Sequence, residues 1–151
     1  MQNKETRIYV VGSIKAFGVY RSLSKKYGNV YHFKDEIKND LLDRLPPQII
    51  IIEESEKSDR ILNQIKLNKY CHVIYLSNNV NFGHLISLIK KGVTDYVLKD
   101  TCMYYSIEQS INRAAKLPLN MSYSFSKIGF IDSCALKKRY PVRFRLAEWF
   151  G

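Results

Sequence analysis

The chain reads as a doubly wound α/β domain, a five-stranded parallel sheet followed by a C-terminal extension. Three observations predict this. Short apolar runs alternate with segments of helical period along residues 7–116, the rhythm of strand–helix–strand units. One of these runs, Ile49–Ile52, is all isoleucine with no polar alternation, as expected for a strand covered on both faces in the middle of a parallel sheet. The stretch Cys71–Asp100 then gives strand, loop, helix, turn and strand in succession. It sets two strand ends, Ser77 and Lys99, side by side on the edge where such sheets carry their sites.

Arg7–Val11 is the first strand, ended by Gly12-Ser13. Ser13 is a candidate cap for the first helix, whose apolar positions are Phe17, Tyr20, Leu23 and Tyr27; Gly28-Asn29 closes it. Val30–Phe33 is the second strand. The second helix is expected over Glu36–Leu45 with Ile37, Leu41 and Leu42 inward, and Pro46-Pro47 ends it. Glu53 and Glu54 follow the isoleucine strand. Either Ser55 or Ser58 caps a third helix carrying Ile61, Leu62 and Ile65. Cys71–Leu76 is the fourth strand, and the chain turns polar at Ser77, Asn78 and Asn79. Phe82, Leu85, Ile86 and Ile89 then share one face of a fourth helix, which Lys91-Gly92 stops. Tyr96–Leu98 is the fifth strand, and Tyr104–Ala115 is the last helix, with Ile107, Ile111 and Ala114 inward.

A chain of 151 residues, 46% of them apolar, is long enough for one core. The rhythm places a domain at residues 1–118. Residues 119–151 break it and form a basic, aromatic extension, an interface element or the start of a further region. The net charge of +10 permits an anionic partner and equally serves solubility; its densest cluster is Lys137–Arg145. Cys71, Cys102 and Cys134 have no metal-ligand spacing, and His32, His72 and His84 are scattered, so no metal and no cofactor are expected. Gly12 and Gly18 make no glycine-rich cradle for a dinucleotide. No signal peptide or membrane-length apolar run is visible, which points to a cytoplasmic protein with no membrane insertion.

The stretch Cys71–Asp100 resembles the CheY-like receiver domain of two-component response regulators. In that family the fourth strand ends in Thr or Ser. A helix, a Gly-Ala-like turn, Asp-Tyr, two apolar residues and a Lys follow. Here these are Ser77, the helix around Leu85–Ile89, Gly92-Val93, Asp95-Tyr96, Val97-Leu98 and Lys99. The resemblance covers about residues 6–117 and implies a flavodoxin-like fold. The Lys99-Asp100 pair is similar to that of receivers attached to helix-turn-helix DNA-binding regions. A receiver of this kind takes a phosphoryl group on an aspartate ending the third strand. It holds Mg2+ with an acidic pair after the first strand, and reads the phosphate with the Thr or Ser, the Lys and an aromatic residue on the fifth strand.

Only part of that set is present. The acceptor position falls on Glu53, whose extra methylene moves the carboxylate outward, and Gly12 and Ser13 stand where the acidic pair belongs. The resemblance therefore implies a pseudo-receiver: a switch pocket of Gly12, Ser13, Glu53, Ser77, Tyr96 and Lys99 with no catalytic residue and too few ligands for Mg2+. A direct contact between Glu53 and Lys99 is expected, against the plainer alternative that both face solvent. Tyr96 faces either inward or outward.

The leading expectation is a non-enzymatic signalling domain acting by protein–protein contact, independent of phosphorylation, as a homodimer or with another signalling protein. The resemblance puts its working surface on the fourth helix, fifth strand and fifth helix, with His84, Ser87, Lys90, Lys91, Tyr105, Gln109 and Arg113 as candidates. The main alternative is a transcription-related regulator that binds nucleic acid through the basic tail. There Lys137, Lys138, Arg139, Arg143 and Arg145 interleave with Tyr140 and Phe144. Pro141 argues against a continuous recognition helix. A weakly active phosphoacceptor receiver is the third reading.

Overall fold

A computed structural model of the chain describes residues 6–65 and 71–116. The strands among the described residues form one five-stranded sheet of order β2-β1-β3-β4-β5. The strands are β1 (Arg7–Val11), β2 (Asn29–Phe33), β3 (Ile49–Glu53), β4 (His72–Ser77) and β5 (Asp95–Leu98). The helices are α1 (Ile14–Ser24), α2 (Asn39–Arg44), α3 (Ser58–Ile65), α4 (Phe82–Lys90) and α5 (Met103–Lys116). Among the described residues strand and helix alternate, and the sheet is doubly wound, as the sequence predicts. The described residues divide after Val73 into two compact units.

In the first unit, β1 pairs in parallel with β2 on one side and β3 on the other, with Tyr9 opposite Tyr31 and Ile50. β1 lies inside the sheet with a strand on each side, and Ile8, Tyr9, Val10 and Val11 are all buried. The isoleucines of β3 are buried on both faces, and the strand runs one residue further than its apolar run, to include Glu53. β2 lies at the sheet edge and stays half-exposed.

The buried stripe of α1 differs from the expected one. Ala16, Val19 and Leu23 face the sheet, Tyr27 is buried beyond the helix end, and Phe17 is 46% exposed. Both stripes have helical spacing. Small Ala16 allows the helix to lie close to the sheet, while Phe17 and Tyr20 pack their rings against each other and against His32 of β2. The second helix is shorter than expected, buries none of its own residues, and leaves Ile37 to enter the core from the preceding loop. The Gln64 amide of α3 donates to the Ile37 carbonyl. At the start of α3, Ser58 rather than Ser55 organises the turn. Its hydroxyl accepts from the Ser55 N–H at 2.7 Å and donates to the Ser55 carbonyl at 2.9 Å.

In the second unit, β4 and β5 pair in parallel with Tyr75 opposite Tyr96 and Ser77 opposite Leu98. α4 begins at Asn81, whose side chain accepts from the His84 N–H at 3.0 Å as an N-cap. Its buried residues are Leu85, Leu88 and Ile89; Phe82 and Ile86, expected inward, are half-exposed. Gly92 follows the helix with φ +100°, the left-handed conformation that lets the chain reverse into β5. α5 buries Met103, Ser106, Ile107, Ser110, Ile111 and Ala114. No helix of the described residues is long and apolar enough to cross a membrane.

Candidate functional site

The residues singled out in the sequence fall into two groups, one in each unit. The first stands where β1 and β3 end. Gly12 leaves β1 with φ +149°, and its N–H donates to the Phe33 carbonyl at 2.9 Å. A Cβ added at Gly12 would lie 2.6 Å from the Cβ of Glu53, 2.6 Å from its Oε1 and 2.8 Å from the Cβ of Ala16. Both the backbone conformation and the available space therefore require glycine. The space is filled by Glu53, which is only 6% exposed.

The Glu53 carboxylate is held by Ser13. Oε1 accepts from the Ser13 backbone N–H at 2.9 Å and from the Ser13 hydroxyl at 3.1 Å. Ser13 precedes α1, but its side chain makes no capping bond to that helix; its hydroxyl serves Glu53 instead. The carboxylate so meets an amide at the N-terminal end of a helix, where partial positive charge favours an anion. One further group joins here without having been foreseen. His32 Nε2 lies 2.9 Å from the Gly12 carbonyl. A carbonyl oxygen only accepts, so Nε2 carries the proton and donates. His32 is an exposed-looking residue of an edge strand in the sequence, and nothing local announces the contact.

The second group is Ser77, Asn79, Tyr96 and Lys99. Tyr96 points inward and is 2% exposed. Its hydroxyl bonds to the Ser77 hydroxyl at 2.6 Å and also meets the Asn79 carbonyl. The Ser77 hydroxyl donates to the same carbonyl at 2.9 Å and accepts from the Asn79 N–H at 3.3 Å. Ser77 is thus the hub of a closed polar knot that fixes the loop after β4. The ring of Tyr96 stacks on Tyr75, with centroids 6.2 Å apart, and Tyr75 meets the His84 ring edge-on at 5.8 Å. Lys99 joins through its backbone, its N–H donating to the Ser77 carbonyl at 2.9 Å. Asn79 is the member that the sequence did not single out, because its contribution is a backbone oxygen.

The expected interface residues lie on α4 and α5 with different freedom. Lys90 and Tyr105 are exposed, and His84, Ser87, Lys91 and Gln109 are half-buried. The guanidinium of Arg113 is bonded to Asp95 at 2.9 Å and to the Ser110 hydroxyl at 3.1 Å. It ties α5 to the start of β5, a contact between residues too far apart in sequence to be read there. Buried Tyr96 contributes no ring to the surface.

Two further buried groups shape the chemistry. Burial pushes the Cys71 thiol far above its ordinary range, so it is not a nucleophile at neutral pH. Burial also pulls His72 down to about 4, so it is neutral in the folded protein at pH 7. Among the described residues no group of His, Cys, Asp and Glu is placed to hold a metal ion. Lys137, Lys138, Arg139, Arg143 and Arg145 lie outside the described residues, as does Cys134.

No family model matches the chain, and no curated protein matches it in sequence. Its fold is that of a known class. The solution structure of the beryllofluoride-activated NtrC receiver domain superposes on it with a TM-score of 0.50 at 20% sequence identity, covering 74% of this chain and 97% of that one. The sheet order, the doubly wound helices and this likeness establish a CheY-like, flavodoxin-like receiver fold.

Proposed function

We propose that the chain is a receiver-like signalling domain that works by protein–protein contact, without accepting a phosphoryl group and without a bound divalent cation. The observation that carries this is the docking of Glu53 onto Ser13, at the strand ends where a receiver would assemble its cation. Mg2+ needs several oxygen ligands around one point, to shield the charge of an incoming phosphoryl group. Here Oε1 accepts two hydrogen bonds from Ser13, one of them from a backbone N–H that cannot act as a ligand. Gly12 supplies no side chain at all, and a side chain there would strike Glu53. The donor set does not fit Mg2+. Oε1 of the buried carboxylate is held instead by Ser13, with roughly the 1.5–3 kcal/mol typical of a hydrogen bond to a charged group.

The opposite half of the chemistry supports the same view. Ser77 and Tyr96 are engaged with each other and with Asn79, so the readout residues are held without an added ligand. Signalling then resides in a surface whose shape is already set. Within the second unit the exposed positions of α4 and α5, Lys90 and Tyr105 foremost, offer a contact surface that is basic and aromatic, with Lys91, His84, Ser87 and Gln109 beside them. Such a composition suits a protein partner with acidic groups around an apolar centre.

The test uses the full chain. Incubation with a small phosphodonor and Mg2+, followed by intact-mass measurement, is expected to leave the mass unchanged. A stoichiometric phosphoryl adduct that disappears in Glu53→Gln overturns the proposal. For the surface, Lys90→Glu and Tyr105→Ala are expected to weaken a captured signalling complex; contacts mapped wholly outside α4, β5 and α5 refute that placement.

A further inference from the structure

The segment from Lys38 to Pro46, which contains α2, is held to the first unit differently from the helices on either side of it in the chain. α1 and α3 each bury an apolar stripe, Ala16, Val19 and Leu23 in one and Ile61, Leu62 and Ile65 in the other. α2 buries none of its residues. Leu41 and Leu42 are half-exposed, and Leu45 is 38% exposed. The buried residues stand just outside the segment, Ile37 before it and Pro47 after it.

Polar contacts hold what lies between. At the N-terminal end the Gln64 amide donates to the Ile37 carbonyl and, at 2.6 Å, to the Asn39 side-chain oxygen. At the C-terminal end the Tyr9 hydroxyl donates to the Leu45 carbonyl, and the Arg7 guanidinium donates to the Pro46 carbonyl at 2.8 Å. Three of these four acceptors are main-chain carbonyls, which water satisfies once the segment lifts. Two ion pairs lie nearby, Lys57–Asp35 just before the segment and Arg44–Asp40 within it, each at 3.3 Å. Both are exposed, and pairs of that kind add little. Closure also leaves Arg7 Nε buried with no hydrogen-bond partner among the described residues, a cost that opening to water removes. Little apolar burial and bonds that water can replace are the marks of an element that opens locally.

We infer that residues 38–46 form a strap that lifts from the first unit as one piece while the sheet stays folded, turning about Ile37 and Pro47. Lifting uncovers the hydroxyl end of Tyr9, which is 1% exposed in the closed state. The Tyr9 ring packs against Tyr31 and Phe33 with centroids 5.6 and 4.9 Å apart. The open state therefore extends the exposed face of Tyr31 into a larger ring surface. It is a second form of the domain with a different surface, populated by a local equilibrium. The inference is independent of the proposed signalling role, which uses Glu53 and the surface of α4, β5 and α5.

Native-state amide exchange of the full chain, followed by NMR over a series of urea concentrations below the unfolding transition, is the test. The N–H groups of Leu41 and Leu42 are bonded to the Lys38 carbonyl and that of Leu45 to the Leu41 carbonyl, all within the segment. In the wild type these three amides are expected to exchange through one opening, with equal protection and a weak dependence on urea. They are expected to exchange faster than Ile8 and Val10 of β1, a strand paired on both sides. Gln64→Ala removes the contacts at one end of the strap, and Tyr9→Phe removes one at the other. Each is expected to speed all three amides together by at least about fivefold, the effect of one lost hydrogen bond, with β1 still the slowest. Acceleration confined to the altered end, Leu45 alone in Tyr9→Phe or Leu41 and Leu42 alone in Gln64→Ala, overturns the inference in favour of separate fraying. Wild-type protection of the three amides equal to that of β1 also overturns it, because the segment then opens only with the whole domain.

Discussion

Replacing Gly12 by alanine tests the arrangement on which the functional reading depends. The added methyl would sit 2.6 Å from both the Cβ and Oε1 of Glu53 and 2.8 Å from the Cβ of Ala16. Two of those three atoms are fixed to backbone, on β3 and α1, so rotation of the Glu53 side chain relieves only one contact. Overpacking of this kind costs about 1–3 kcal/mol. The backbone adds a second term, because φ at Gly12 is +149° and an L-residue there is strained by roughly 1–3 kcal/mol. Together Gly12→Ala is expected to destabilise the protein by about 4 kcal/mol. Gly92→Ala separates the two terms. Gly92 also has positive φ, +100°, but an added Cβ there meets nothing within 4 Å. It should therefore lose only the backbone term, about 1–3 kcal/mol. Urea unfolding followed by circular dichroism measures both, with unchanged m-values as the check that the denatured state is comparable. A Gly12→Ala loss no larger than that of Gly92→Ala would refute the close approach of Glu53, and with it the view that residue 12 is glycine in order to seat a glutamate.

Two further outcomes follow from the same geometry. His72 is neutral in the folded state, its value pulled down to about 4 by burial, whereas the unfolded chain takes up that proton near the ordinary 6.5. The unfolded state thus binds more protons between those limits, and stability falls as pH drops through that window by about 1.4 kcal/mol per unit. His72→Gln should show a shallower pH dependence over the same range in equilibrium unfolding; parallel curves would refute the assignment. Tyr96→Phe removes the hydroxyl from the Ser77–Asn79 knot while leaving the stacked ring on Tyr75. It should cost about 1–2 kcal/mol and speed amide exchange at Asn79, whereas unchanged exchange there would show that the loop is held by Ser77 alone.

The sequence by itself determined the order of the elements and the character of the sheet. Ile49–Ile52 could only be a strand buried on both faces, and it is one. Lys91-Gly92 ended α4 as expected, because a positive φ is available to glycine at little cost. The spacing of Ser77, Tyr96 and Lys99 was equally legible, since parallel strands bring residues at their ends into register and the sheet pairs Ser77 with Leu98, next to Lys99. The identities of Gly12, Ser13 and Glu53 at the other two strand ends were visible too, but not what they do together.

Tertiary structure alone decided three things. It chose the buried stripe of α1, because Ala16 permits close approach to the sheet and Phe17 does not, although both stripes have helical period. It turned Ser13 from a helix cap into a ligand of the Glu53 carboxylate, since a hydroxyl bonds whichever acceptor is nearer and a buried anion needs one. It also turned Tyr96 inward onto Ser77, an orientation that strand alternation leaves open when both faces are covered. Local periodicity fixes which residues form each element. Which side chains meet is settled only when elements distant in sequence compete for the same space and the same hydrogen bonds.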